Sequence, residues 1–126
     1  MFQPLWATLT TIGAGAASWT VVAMFGGRRE AWDSELYFAA LPLIGLMAGL
    51  ISYFAPARFW RWAFYPFLGQ ALVMFAQGIY VSGGAGAALL PLGLIVFAIF
   101  GAFCTIPAAI GAVAGRKAAT AMAVAP

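Results

Sequence analysis

Four long runs without a charged residue constrain the fold of this chain more than any other feature. The runs cover residues 5–27, 36–54, 62–80 and 87–115. A helix needs about 20 mainly apolar residues to cross the hydrocarbon core of a bilayer. Helices satisfy their own backbone hydrogen bonds in lipid, whereas a barrel needs at least eight strands and a longer chain. The sequence therefore predicts an all-α integral membrane bundle of four transmembrane helices.

The composition excludes several classes of protein. Hydrophobic residues make up 65% of the chain, charged residues 7%, and the mean hydropathy is +1.00. A soluble domain carries roughly 25% charged residues, and disordered chains are polar, so both classes are excluded. The chain has no His and one Cys, which excludes His-ligated metals and thiolate zinc clusters. We therefore expect no enzyme, no metal and no cofactor held by side chains; pigment or quinone bound without such ligands stays an open alternative.

The few basic residues indicate an orientation. With four spans, both termini and the second connection lie on one side of the membrane. That side carries four basic residues, and the opposite side carries two, next to all three acidic residues in the segment 28–35. Because Lys and Arg favour the cytoplasmic side, we expect both termini in the cytoplasm, with residues 116–126 as a short frayed tail. The Ala- and Gly-rich composition is compatible with a bacterial inner membrane.

Two pairs of similar segments suggest an internal repeat. VVAMFGG at 21–27 resembles LVMFAQG at 72–78, and AALPLIGL at 39–46 resembles AALLPLGL at 87–94. Two tandem helical hairpins would explain both matches, and related helices would then lie opposite each other around an axis along the membrane normal. Chance similarity between apolar segments is the alternative.

Small residues recur at helical spacing on two of the predicted helices. Gly45 and Gly49 are four residues apart with Ser52 nearby, and Gly111 and Gly115 repeat the spacing. Such pairs let helix backbones approach closely in lipid. The pattern predicts a packing seam, either within one bundle or between chains of an oligomer.

The third predicted helix carries the most notable polar residues. Gln70 and Gln77 are seven residues apart and so lie on one helix face. A Gln amide in lipid needs a hydrogen-bond partner or water. Interhelical hydrogen bonding is one interpretation, and a polar pathway lined by both residues is the other. No Asp, Glu, Lys or Arg lies deep in a span, which argues against proton- or cation-coupled transport.

Basic and aromatic residues alternate just before the third helix. Arg58, Trp60, Arg61 and Trp62 belong to the stretch RFWRWAFYPF. Such residues are typical of the membrane–water interface, so we expect all four to be anchors in contact with membrane lipid. Specific binding of an anionic lipid or of a partner loop is the alternative. Four basic residues on one side are too few to predict nucleic-acid binding.

Two functions remain compatible with the sequence. One is a structural or accessory subunit that packs with other membrane proteins or with itself, which the lack of buried charge and the Gly-rich helix faces favour. The alternative is a minimal channel or carrier for a neutral or weakly polar solute. A single bundle of four helices leaves little space for a solute path, so the alternative requires a homo-oligomer.

Overall fold

The computed structural model describes residues 4–26, 34–82 and 90–124, and within these ranges every regular element is a helix. The helices are α1 (Leu5–Gly26), α2 (Glu35–Phe54), α3 (Trp60–Ser82) and α4 (Leu90–Val124). The predicted all-α class is confirmed, and most helix ends lie within three residues of their predicted positions. Residue 27 and residues 87–89 of the predicted spans lie outside the described residues.

Three of these helices are long and apolar enough to cross a membrane, namely α1, α2 and the part of α4 from Ile95 to Val124. The chain is therefore an integral membrane protein by the length and composition of its helices. Helix α3 is 23 residues long, but it contains Gln70 and Gln77 and is less apolar than the others. A fourth span thus stays a prediction.

Helix α4 differs from its prediction at the C-terminal end. It has 35 residues and continues without a break past Arg116 and Lys117 to Val124. The expected frayed tail is wrong for this described part. The physical reason lies in the composition of residues 118–124, because Ala is the strongest helix former. The hydroxyl of Thr120 also donates back to the carbonyl oxygen of Arg116 at 3.0 Å.

The helices follow one another around the bundle in the order α1, α3, α4, α2. The most extensive interface joins α2 to α4, followed by the interface between α1 and α3. Each of these pairs is parallel, as the contact of Gly45 with Pro107 and of Gly49 with Gly111 illustrates. The tandem-hairpin hypothesis placed α1 opposite α3 and α2 opposite α4. The structure places them side by side, because close backbone contacts join the members of each pair.

Two clusters of buried side chains fill the bundle. The first includes Trp19, Tyr37 and Phe97 and lies in the half where α2 begins. The second surrounds Trp62 and includes Ala7, Ile51, Ala55 and Ala112. Many large hydrophobic side chains face outward instead, as expected where lipid is the solvent. Examples from all helices are Leu9, Val21, Phe38, Leu43, Leu72, Ile99 and Ile110.

Both ends of α2 are fixed by local hydrogen bonds. At its start, the hydroxyl oxygen of Ser34 accepts from the backbone N–H of Leu36 at 3.3 Å, which is an N-cap. At its end, the N–H of Ala55 donates to the carbonyl oxygen of Ile51 at 2.8 Å. The turn to α3 then passes through Arg58, whose φ of 56° lies in the left-handed region.

Candidate functional site

Five polar or amphipathic side chains form two neighbouring hydrogen-bonded sets, here together called the polar cluster: Ser18, Tyr37 and Gln70 in one set, and Trp19 and Gln77 in the other. Gln70 lies at the centre of the first set and is fully buried. Its Oε1 accepts from the hydroxyl of Tyr37 at 3.1 Å, and its Nε2 donates to the hydroxyl oxygen of Ser18 at 3.3 Å. The side chain of Gln70 therefore ties α3 to both α1 and α2.

Gln77 extends the polar cluster along α3 towards α1. Its Oε1 accepts from the indole Nε1 of Trp19 at 3.2 Å, and its side chain is partly exposed. Trp19 itself is buried, with its ring edge-on to Tyr37 at 6.4 Å and to Phe97 at 6.1 Å between centroids. The predicted face with Gln70 and Gln77 therefore contacts α1 through Ser18 and Trp19. The rings of Tyr37 and Phe97 pack against Trp19.

The polar cluster has a clear physical basis. A buried amide without a partner costs several kcal/mol, roughly 2–7 depending on the reference state. Hydrogen bonds from neighbouring helices remove that cost. The sequence indicated the need for partners, but it did not identify Tyr37 or Ser18 as those partners. The missing information is the adjacency of α1, α2 and α3, which no local pattern provides.

The predicted glycine seam lies between α2 and α4 of the same chain. A Cβ atom placed on Gly45 would lie 2.7 Å from the carbonyl oxygen of Pro107, and one on Gly49 would lie 3.0 Å from that of Gly111. Gly115 packs in turn on Gly49. These glycines therefore pack α2 against α4 within the chain.

Ser52 belongs to the same seam. Its side chain is fully buried, and its hydroxyl donates to the carbonyl oxygen of Ala112 at 2.6 Å. This is a hydrogen bond between α2 and α4. The seam thus combines close backbone contact with one polar link.

A second close contact, between α1 and α3, was not predicted. Gly15 packs on the carbonyl oxygen of Pro66, and Gly69 packs on that of Ile12, so closely that no Cβ atom would fit at either glycine. Neither glycine has another glycine four residues away on its own helix. The spacing pattern that identified the first seam therefore gave no signal here.

The interfacial residues divide into two groups. Arg58 and Trp60 are exposed and Arg61 is partly exposed, with its guanidinium 5.2 Å from the Trp60 ring centroid. Trp62 does not lie at such a surface. It is fully buried, and its indole Nε1 donates to the carbonyl oxygen of Ala55 at 2.8 Å. The reason is helical geometry, because residues two apart point in nearly opposite directions.

The basic residues of the described ranges collect at one end of the bundle. Arg116 lies with its guanidinium 4.6 Å from the ring centroid of Phe59, which brings the end of α4 against the turn before α3. Glu35, the one acidic residue in the described ranges, begins α2 at the opposite end. The molecule therefore has a basic end, formed by Arg58, Arg61, Arg116 and Lys117.

An apolar groove of about 490 Å³ runs along the outside of the bundle between α3 and α4. Its walls include Phe64 and Phe67, and small side chains of α4 form its floor. A second groove of about 460 Å³ shares Ala109 with the first and ends at Lys117. Both grooves face outward rather than into the bundle.

The described residues include few side chains that can ligate a metal ion. They contain no group of three or more His, Cys, Asp or Glu side chains that could hold a metal ion. The thiol of Cys104 is buried among packing residues of the first cluster. Comparisons with protein families, with curated proteins and with solved structures found no match to this chain.

Proposed function

We propose that this protein is a structural or accessory subunit of a bacterial inner membrane, where it packs with other membrane proteins or with itself. In this proposal all of its helices, including α3, cross the membrane. The basic end faces the cytoplasm together with both termini, in keeping with the preference of Lys and Arg for that side.

The hydrogen bonding of Gln70 carries this proposal. The side chain is fully buried, and both its oxygen and its nitrogen are engaged by residues of neighbouring helices. A glutamine that lined a solute path would need free polar atoms facing water. The arrangement favours a stabilising role for this buried amide, and the apolar outer surface suits contact with lipid or partner helices.

One observation favours the alternative of a homo-oligomeric channel or carrier. Gln77 is partly exposed, and the bond from Trp19 occupies only its oxygen among the contacts described. In an oligomer its amide nitrogen could face a path between chains. The two proposals therefore differ in whether water reaches Gln77.

Thiol accessibility distinguishes the two functions. Gln70→Cys and Gln77→Cys are made in a Cys104→Ala background, and inside-out membrane vesicles, which expose the cytoplasmic side, are treated with a hydrophilic maleimide. We expect both cysteines to stay unreactive, while a control cysteine replacing exposed Arg58 reacts. Fast labelling at residue 77 would contradict the structural role and support the channel.

Native mass spectrometry of protein extracted in a mild detergent tests the partner. Stoichiometric co-purification with a larger membrane complex is the expected result for an accessory subunit. A defined homo-oligomer combined with an inert residue 77 would leave self-assembly as the structural role. Detection of the monomer alone, at protein concentrations where other membrane complexes stay assembled in the same detergent, would contradict the proposal.

A further inference from the structure

The two outer grooves form one continuous apolar track along α4. They share Ala109, and from there the track follows Ile110, Val113 and Ala114 to Lys117. Lys117 lies above Ile110 and Val113 at helical spacing, so the cation stands at the end of the same helix face. The track therefore pairs an apolar surface with a positive charge at its end.

The track is longer than one leaflet of a bilayer, because α4 rises about 28 Å from Ala98 to Lys117 at 1.5 Å per residue. From Lys117 down to Ile106 the helix rises about 16 Å at 1.5 Å per residue. Half of a hydrocarbon core of about 30 Å is about 15 Å. A phospholipid with its phosphate beside Lys117 would thus have an acyl chain of suitable length for the part of the track between Ile106 and Lys117.

The wall contributed by α3 also ends in a basic residue. Phe64 lines the groove, and Arg61 lies one helical turn before it. Arg61 and Arg116 each lie over an aromatic ring, Trp60 and Phe59 respectively. Trp side chains are enriched at the depth of lipid headgroups, so a membrane interface at Trp60 would bring the guanidinium of Arg61 close to lipid phosphates.

The charge distribution identifies the class of lipid. All three acidic residues of the chain belong to the segment 28–35 between α1 and α2. Glu35, the acid that the structure describes, lies at the end of the bundle remote from Lys117. No described carboxylate neutralises the basic end, so a negatively charged headgroup complements it better than a zwitterionic one.

We propose that an anionic phospholipid binds along the outer face of α4 that Ala109, Ile110, Val113, Ala114 and Lys117 form, next to the groove between α3 and α4. Its phosphate lies beside Lys117, and one acyl chain follows Val113, Ile110 and Ala109. This site does not depend on which function the protein has, because it requires only that α3 and α4 lie in a membrane.

Native mass spectrometry with two lipids tests the headgroup. Purified protein in detergent is titrated with phosphatidylglycerol and, separately, with phosphatidylcholine of the same acyl chains. We expect one phosphatidylglycerol to be retained preferentially. Lys117→Gln should weaken its retention about fivefold, the factor that corresponds to the loss of one cation near a phosphate. Lys117→Arg should restore it, and phosphatidylcholine should be unaffected.

A second pair of variants tests the groove. Val113→Trp fills the track, whereas Leu43→Trp adds the same side chain on α2, outside the track. Both positions are exposed, at 40% and 67% respectively, so neither change disturbs the core. We expect Val113→Trp alone to reduce retention of phosphatidylglycerol. Equal retention of the two lipids, or headgroup preference unchanged in Val113→Trp, would overturn the proposal; the latter would indicate a diffuse shell of anionic lipid.

Discussion

The two parallel helix pairs of the bundle share one contact and differ in what surrounds it. In the α1/α3 pair, Gly15 packs on the carbonyl oxygen of Pro66, and in the α2/α4 pair, Gly45 packs on that of Pro107. Each time, a glycine of the earlier helix meets a proline of the later one. Close approach of backbones at small residues is the main source of helix association in lipid.

The surroundings of this shared contact are different. Along α2 and α4 the close approach continues through Gly49, Gly111 and Gly115, with Ser52 as the one polar link described. Between α1 and α3 the polar cluster supplies two hydrogen bonds between side chains. The more apolar pair is thus held mainly by backbone contact, and the pair containing the less apolar α3 relies in addition on side-chain hydrogen bonds.

The largest effect is expected from adding one methyl group to the α2/α4 seam. In Gly111→Ala the new Cβ would collide with the backbone of Gly45, which cannot move aside as a flexible side chain could. Overpacking of this kind costs about 1–3 kcal/mol or more. The measurement is the free energy of unfolding in mixed micelles with increasing SDS.

Gly93→Ala is the matched control, because Gly93 lies on the same helix with nothing within 4 Å of its Cβ position. We expect it to leave stability unchanged or to raise it slightly, since Ala favours helix more than Gly does. Equal costs for the two variants would show that backbone contact does not hold α2 to α4.

A smaller loss is expected when the polar cluster is removed from the α1/α3 pair. Gln70→Leu keeps a side chain of similar size but leaves the hydroxyl of Tyr37 and that of Ser18 without this partner. A hydrogen bond between membrane helices contributes about 0.6 kcal/mol on average and up to about 1.7. We therefore expect a loss of about 1–2 kcal/mol in the same unfolding assay.

Gln77→Leu serves as the comparison for Gln70→Leu. It removes one hydrogen bond from a partly exposed side chain, so its cost should be the smaller of the two. If Gln70→Leu instead raised the free energy of unfolding, the polar cluster would destabilise the bundle. Its presence would then require a role other than stability, which would support the channel alternative.

Local patterns predicted much of this fold. Runs without charge located the helices, because the length needed to cross a membrane is a property of each segment alone. Spacing of four residues identified Gly45 and Gly49, and a spacing of seven put Gln70 and Gln77 on one face. Each of these features can be recognised within a single helix.

Apart from the helical residues 118–124, what the sequence did not predict concerns which helices are neighbours. The contact of Gly15 with Pro66, the burial of Trp62 and the partners of Gln70 depend on α1 lying beside α3 and on the side chains that α2 and α4 bring to the centre. Such adjacency is decided by the fit of whole helix surfaces. The repeat hypothesis made a prediction about helix adjacency. It placed the related helices on opposite sides of the bundle, whereas the structure places them side by side.

Trp62 lies where the two pairs meet, and it gives the next prediction. Trp62→Phe removes the hydrogen bond to the carbonyl oxygen of Ala55 and leaves unfilled space beside Ala7 and Ala112. We expect a loss of about 1 kcal/mol, in the range of one net hydrogen bond. Trp60→Phe, at a side chain that is 58% exposed, should cost little. Equal effects would mean that both rings act as membrane anchors, as the sequence led us to expect.

The smallest loss of stability is expected for Ser52→Ala in the α2/α4 pair, and the same type of substitution can be compared in the α1/α3 pair. Ser52→Ala removes the hydroxyl that links α2 to the carbonyl oxygen of Ala112. Alanine fits the space, and the close backbone contacts of the seam remain, so we expect a loss of about 0.6 kcal/mol or less.

Ser18→Ala makes the same change in the α1/α3 pair, but it leaves the buried Nε2 of Gln70 without its acceptor. An unsatisfied buried donor costs at least about 1 kcal/mol, so Ser18→Ala should be more destabilising than Ser52→Ala in the unfolding assay. The reverse order would mean that the hydroxyl, and not the glycine contacts, holds α2 against α4.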